Sequence, residues 1–483
     1  MSPVFDENKY RALLERLEIR EISFLSLSSN FRIDAEHYQK RYDNFLKIIT
    51  AGKYTSLKKI IVTPVVTGHT PSMANNEFYG GNVPFIKTDN LREFCIVDNF
   101  SDMLTEKGKG ELKNSVLNCN DVIITIIGAT EKIIGRAMLI RDEFAGSCIN
   151  QNIARIRLKK CIFSPEFITV YVNSRYGHLG LLLNSRQTEQ VNLNCREVED
   201  LLIPCFSDEY MIRITSLANE ANLKSECAKA LYNDAQKKLL QELDMVGWRP
   251  TDESSATKSF AEVENSGRLD AEYYQPKYEE IVVKLNRYSG GLISCETLIV
   301  DAMTKLSPGV EYSYVELADI GKSGEITSCT KDVAENLPSR ARQKIKTNDV
   351  IVSSVEGSLS SCALVTGEYN NAICSTGFHV LRSREINPET LLLLMKSSSI
   401  QNLLKQGCSG TILTAILPDA LKQINLPLIR EEVQKQLAAK VQESFTLRQE
   451  SNRLLDLAKR AVEVAIEQGE NAAMKLLEEA NNG

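Results

Sequence analysis

Residues 23–42 read SFLSLSSNFRIDAEHYQKRY, and residues 259–278 read SFAEVENSGRLDAEYYQPKY. Arg32, Asp34, Ala35, Glu36, Tyr38, Gln39 and Tyr42 recur as Arg268, Asp270, Ala271, Glu272, Tyr274, Gln275 and Tyr278, at an offset of 236 in a chain of 483. A period of half the chain lies far beyond the roughly 20–50 residues of a solenoid, so it constrains the polypeptide to two domain-sized copies of one fold. Duplicated domains in one chain give an internal two-fold shape, which suits a long, repetitive ligand.

The repeat continues past its opening. Asn120-Asp121-Val122-Ile123 returns as Asn348-Asp349-Val350-Ile351, and INQNIARIR (149–157) sits where CSTGFHVLR (374–382) lies later. Thr188, Leu193 and Pro204 match Thr411, Ile416 and Pro427, so the offset shrinks to 223 and the second copy is slightly shorter. DVIITIIG and DVIVSSVEG are β-branched runs closed by Gly, which predict strands. SPEFITVYVNS and NPETLLLLMKS each place Pro just after a capping Ser or Asn, which predicts helices. Each copy therefore reads as an α+β domain.

After each copy comes a long polar helix pattern. In the first, Ile214, Leu217, Ala221, Ala228, Leu231 and Ala235 form a three-four-seven seam. In the second, Leu437, Ser444, Ser451, Leu454, Ala458, Ala461 and Ala465 do the same. Small residues along both seams favour pairing of the two helices with each other over packing of each on its own domain. The expected layout is an N-terminal segment with the first motif (1–52), a domain over 53–206, a long helix over 207–243, a linker with the second motif (244–289), a second domain over 290–429 and a second long helix over 430–483. The fold class is α+β: two tandem domains in pseudo-two-fold arrangement, separated by two long helices forming an antiparallel coiled coil.

Several chemistries are disfavoured. No two prolines are adjacent, so the Pro-Pro loop of DNA amino-methyltransferases is missing. Gly321-Lys322-Ser323 has Glu316 where a phosphate-binding loop needs glycine. The four histidines have no metal-ligand spacing, and no metal or other cofactor is expected. A nuclease-like set of Asp98, Glu111 and Lys113 can be drawn, without an equivalent in the second copy. The doubled Arg-x-Asp-Ala-Glu motif reads as a structural latch, with Arg and Asp pairing at a helix start. Twelve cysteines stand singly without a CxxC pair, and no apolar run approaches a membrane span. With a polar, charged start, these features indicate a reducing, cytoplasmic setting. The net charge is −6, while residues 53–206 carry +2 and residues 290–429 carry −2. Neither block is basic enough to hold DNA by charge alone.

In these residues the chain resembles the specificity subunits of type I restriction-modification systems. The resemblance lies in R-[IL]-D-A-E-x-Y-Q at Arg32 and Arg268, TGHTPS with GNVPFIKTDNL, NDVIITIIGATEKIIGRAMLI, INQNIARIRL and QVNLNCREVEDLLIP. The second copy lacks the TPS loop, and GATEKIIG becomes EGSLSSC. The resemblance implies a non-catalytic reader of a bipartite double-stranded DNA target, each domain reading one half. It implies as partners two adenine-methyltransferase (M) subunits and a restriction (R) subunit, and no membrane. About 37 helical residues give roughly 55 Å of rod, against about 35 Å between half-sites one turn apart.

The family carries no fixed base-contact motif, so candidate DNA-binding residues rest on side-chain chemistry and loop position. In the first domain they are Thr67, Thr70, Lys87, Arg92, Thr130, Lys132, Asn150, Gln151, Arg186 and Gln187. In the second they are Lys322, Ser354, Ser358, Ser375, Thr376, Lys405, Ser409 and Thr411. The bland reading of each is an ordinary solvated loop residue. The alternatives for the whole chain are a non-reading interaction scaffold of a phage-defence complex, and the metal-dependent nuclease.

Overall fold

The computed structural model describes residues 18, 21–24, 27, 32–160, 163–187, 190–410 and 414–481. Thr188 and Thr411 lie outside them, as does the side chain of Gln187. The chain forms two compact units: Met1–Leu223 with Ser451–Gly483, and Lys224–Glu450.

In the first unit, a four-stranded antiparallel sheet has the spatial order Val66–Thr67, Ile153–Ile156, Val122–Thr125, Ala137–Leu139. Its central strands are buried throughout; Val122–Thr125 is a continuous β-branched run, whereas Ile153–Ile156 includes the buried Arg155. A second sheet is built on Tyr79–Ile86, with Cys148–Ile149 parallel on one side and Met103–Leu104 antiparallel on the other. The helix Pro165–Asn173 starts where Ser164 Oγ accepts from Phe167 N–H at 3.0 Å. Residues 167–172 of this helix are all buried, and one of its faces packs on Val122–Thr125 and Ala137–Leu139 of the sheet. A second helix, Arg175–Asn184, follows directly, capped by Ser174.

The second unit repeats the plan. Val350–Ser353 pairs with Cys362–Leu364 and Phe378–Leu381, and Asn387 caps the covering helix Pro388–Lys396 by accepting from Thr390 N–H at 2.9 Å. Ser398–Gly407 is its second helix. The other sheet orders Thr330–Val333, Glu311–Val315, Ile373–Ser375 and Ala341–Lys344. The second helix of each pair was not foreseen from sequence; in the first unit the interior Gly177 and Gly180 obscure its pattern.

The first long helix spans Asp208–Glu242. The second pattern is broken into Glu431–Gln468 and Glu470–Asn481, where one helix was expected. Gly469 sits between them at φ 90, a conformation that ends a helix and that glycine adopts cheaply. Within the first unit Ser451 Oγ donates to Ala221 O at 2.6 Å, and Ser207 N–H donates to Glu470 at 3.0 Å. Within the second unit Ser444 Oγ donates to Ala228 O at 2.7 Å, Lys440 pairs with Asp234 at 2.6 Å and Arg430 with Glu242 at 2.7 Å. In each unit the residue number rises on one helix as it falls on the other, so the long helices pack antiparallel. The seam residues are buried, apart from Leu231, which is half-buried while Tyr232 faces the core.

Two polar devices, one copy of each in either unit, brace the units internally. Asp121 and Asp349 are 1% and 0% exposed, and each takes a bidentate Arg: Arg157 at 2.7 Å and Arg382 at 2.7 and 3.0 Å. Each Asp also accepts a backbone N–H, from Asn118 and Lys346. The preceding Asn120 and Asn348 adopt φ 70 and 72, a left-handed turn that Asn tolerates. The second device is the doubled motif. Arg32 pairs with Asp34 and donates to Ser185 O at 2.7 Å, while Arg268 pairs with Asp270 and donates to Cys408 O at 2.7 Å. Those carbonyls belong to the residues ending the second helix of each pair, where a cation is favoured by the helix dipole. Tyr38 and Tyr274 hydroxyls close the loops onto Arg32 O and Arg268 O. The motif is thus a latch in geometry.

Candidate nucleic-acid interface

Beyond the central strand of each unit the backbone builds the same loop cluster. In the first unit Ile126 N–H donates to Asn152 O, and Leu193 N–H to Ile126 O, both at 2.9 Å. In the second, Ser354 N–H donates to Gly377 O, and Ile416 N–H to Ser354 O, both at 2.8 Å. The hairpin of Arg186–Gln187 with Val191–Asn192 joins Ile127–Gly128 in the first unit. Cys408–Ser409 with Ala415–Ile416 takes that place in the second, joined by the bridge Val355–Ala415. The latch arginine holds the start of this hairpin in both.

Most of the first-domain candidates gather here. A Cβ on Gly68 would lie 1.6 Å from Ile149 O, so the TGHTPS loop can lie against residues 149–151 only because glycine stands there. Thr70 thereby meets Gln151, its Oγ1 donating to Gln151 Oε1 at 2.8 Å, while Thr67 is paired with Ala154 in the sheet. Thr130 and Lys132 are exposed on the turn after Gly128, and Arg186 is exposed with Glu197 3.2 Å away. Lys87 follows Ile86, whose carbonyl accepts from Asn150 N–H. Its ammonium pairs with Asp102 and holds that carboxyl below the usual carboxylate range. Arg92 stands apart on the hairpin Leu91–Ile96, donating to Asp89 O at 3.0 Å.

In the second unit Ser354, Ser358, Ser375, Thr376 and Ser409 gather at the equivalent loops. Lys322 and Lys405 do not. Lys322 is exposed on the turn whose Ser323 binds Arg448 of the second long helix. Lys405 pairs with Glu272 of the latch at 3.4 Å. There the Tyr278 hydroxyl, then Lys277 and Lys405, bring Glu272 down to about 2. Two candidates are corrected by burial. Asn150 is 6% exposed and its Oδ1 accepts from Asn152 N–H, and Ser375 is 2% exposed and its Oγ accepts from Gly377 N–H. Both side chains shape turns.

Histidines serve the same frame. His178 Nδ1 bonds Ile134 O at 3.1 Å and His379 Nε2 bonds Ile416 O at 2.9 Å, and burial pushes both imidazoles below their ordinary range. Among the described residues no three His, Cys, Asp or Glu side chains gather as a metal site, and no helix is long and apolar enough to cross a membrane.

The molecule is therefore an α+β protein with two tandem domains of one plan and a pair of antiparallel long helices. No family model matches it. Over 125 residues it is 24% identical to the specificity subunit of the type I restriction enzyme EcoBI from Escherichia coli, covering 26% of the chain and 25% of that protein, so the match spans about a quarter of the relative's length. Solved structures that it resembles include type I restriction-modification S subunits. That from M. genitalium has TM-score 0.38 and 11% identity over 86% of this chain and 95% of its own. The HsdS subunit from Thermoanaerobacter tengcongensis has TM-score 0.30 and 16% identity over 86% and 97%.

Proposed function

We propose that the chain is the DNA-specificity subunit of a type I restriction-modification system, reading a bipartite double-stranded target and directing adenine methylation and restriction by partner subunits. One observation carries the reading: the latch, the buried Asp–Arg pair and the loop-cluster backbone recur in both units, while the side chains displayed on those loops differ. A retained frame with divergent polar loops is what two readers of different half-sites require, because base edges are discriminated by loop-borne donors and acceptors. In the first unit the readers are Thr70, Gln151, Thr130, Lys132 and Arg186, with Thr67, Lys87 and Gln187 near them and Arg92 apart on its own hairpin. In the second they are Ser354, Ser358, Thr376 and Ser409. The long helices would dock two methyltransferase subunits, which the restriction subunit joins. The subunit itself performs no chemistry and works in the cytoplasm.

Mapping methylated adenines in a host carrying the assembled system tests the whole reading. A split motif that depends on this chain is expected, and methylation without one would favour the non-reading scaffold. Lys132→Ala and Arg186→Ala should each weaken specific binding by the assembled complex by about 1–3 kcal/mol. Unchanged binding in both would remove them from the interface.

A further inference from the structure

The second unit, whose block carries a net −2, contains a row of four exposed basic side chains, three of them without an ion pair among the described residues. The sequence Arg340-Ala-Arg342-Gln-Lys344-Ile-Lys346 alternates strictly: Ala341, Gln343 and Ile345 are buried, and the four basic residues are exposed. Residues 341–344 form a strand paired with Ile373–Ser375, with a bulge between Ala341 and Gln343. On its other side Thr304 N–H donates to Arg342 O, and Lys344 N–H to Ala302 O. Both backbone edges are occupied, so only side chains are offered outward. The Gln343 amide reaches inward to Ser375 O and Phe378 O at 3.0 and 2.8 Å, which fixes which face the basic residues take.

Arg340 has Glu316 3.5 Å away, and among the described residues Arg342, Lys344 and Lys346 form no ion pair. Arg342 and Lys344 stand on the strand and Arg340 and Lys346 flank it, alternate residues on one face spaced by roughly 6–7 Å, and the mutual repulsion of such a row is relieved by an anionic ligand that runs along it. The row begins at the loop cluster, since Thr376 N–H donates to Arg340 O at 2.9 Å. We infer that Arg340, Arg342, Lys344 and Lys346 form a ladder that grips the DNA sugar-phosphate backbone beside the bases read by the second unit. The inference rests on the DNA-reading role proposed above. The first unit has the helix Glu106–Glu111 and Lys113 in the corresponding stretch, so the grip is one-sided.

The test uses the full chain assembled with its methyltransferase partners, with target and unrelated duplexes titrated at several salt concentrations. Each phosphate contact contributes about 0.9 to the slope of log affinity against log salt, so R340Q/R342Q/K344Q/K346Q should make it shallower by about 3–4. The loss should be equal on both duplexes, leaving the methylated motif unchanged, whereas R340K/R342K should keep the wild-type slope. An unchanged slope in a quadruple variant that melts like the wild type would overturn the ladder alone. Impaired assembly with the partners at an unchanged slope would also overturn it, assigning the row to an acidic protein surface. No DNA binding by the wild-type complex would overturn the ladder together with the reading beneath it.

Discussion

Asp349 illustrates how much single residues carry. It is fully buried and charged, with Arg382 and one backbone N–H as its compensation. Arg382→Met keeps the packing and strands the carboxylate, so about 3 kcal/mol of stability should be lost in denaturant titration. Arg157→Met should do the same to Asp121, which identifies the pair as scaffold. His178 and His379 make a second prediction. Both are held neutral, with folded-state values depressed below the ordinary 6.5. Below that value the unfolded chain takes up protons that the folded chain refuses, so their contribution is full above it and is lost as pH falls. H178Q/H379Q, whose amides can still donate to Ile134 O and Ile416 O, should lose less stability than the wild type between about pH 7 and 5. These roles were hidden in the sequence because a histidine or an Asp–Arg pair far apart along the chain shows no partner until the strands bring one.

At the scale of elements, the latch and the helix seam are the informative parts. The latch was legible because its Arg, Asp and Tyr recur at fixed spacing, and its target was not, since Ser185 and Cys408 offer only backbone carbonyls. Arg268→Ala should cost about 1.5–3 kcal/mol by removing charge-assisted bonds. It should also speed amide exchange in the hairpin Cys408–Ile416 more than in the Phe378–Leu381 strand. Along the seam, Ser444 and Ser451 are buried and donate to carbonyls already bonded within the facing helix. Their small size permits close approach, so Ser451→Leu should destabilise by about 1–3 kcal/mol through overpacking. Ser451→Ala should cost less than about 1 kcal/mol, since no carbonyl is left without its helical partner. The seam itself was readable because a three-four-seven pattern is a local property of one helix.

For the whole molecule, the acidic balance of −6 and the local ladder make opposite demands, and distance decides between them. Charges farther apart than about 8 Å at physiological salt are largely screened, so a ligand on the ladder responds to its four cations more than to the total. The isolated chain should therefore bind duplex DNA weakly and with a shallower salt dependence than the assembled complex, measurable by fluorescence anisotropy. Duplication, the α+β class, the capped helices and the helix seam followed from the sequence alone, because each is written in spacing, capping chemistry or recurrence along the chain. Which loop residues stand together was decided only by tertiary structure. Thr70 meets Gln151, Asn150 and Ser375 turn inward, Lys405 is drawn into the latch and Arg340 to Lys346 line one open face. Each outcome depends on backbone hydrogen bonds between segments many residues apart, and polar loop residues carry no periodicity to announce them.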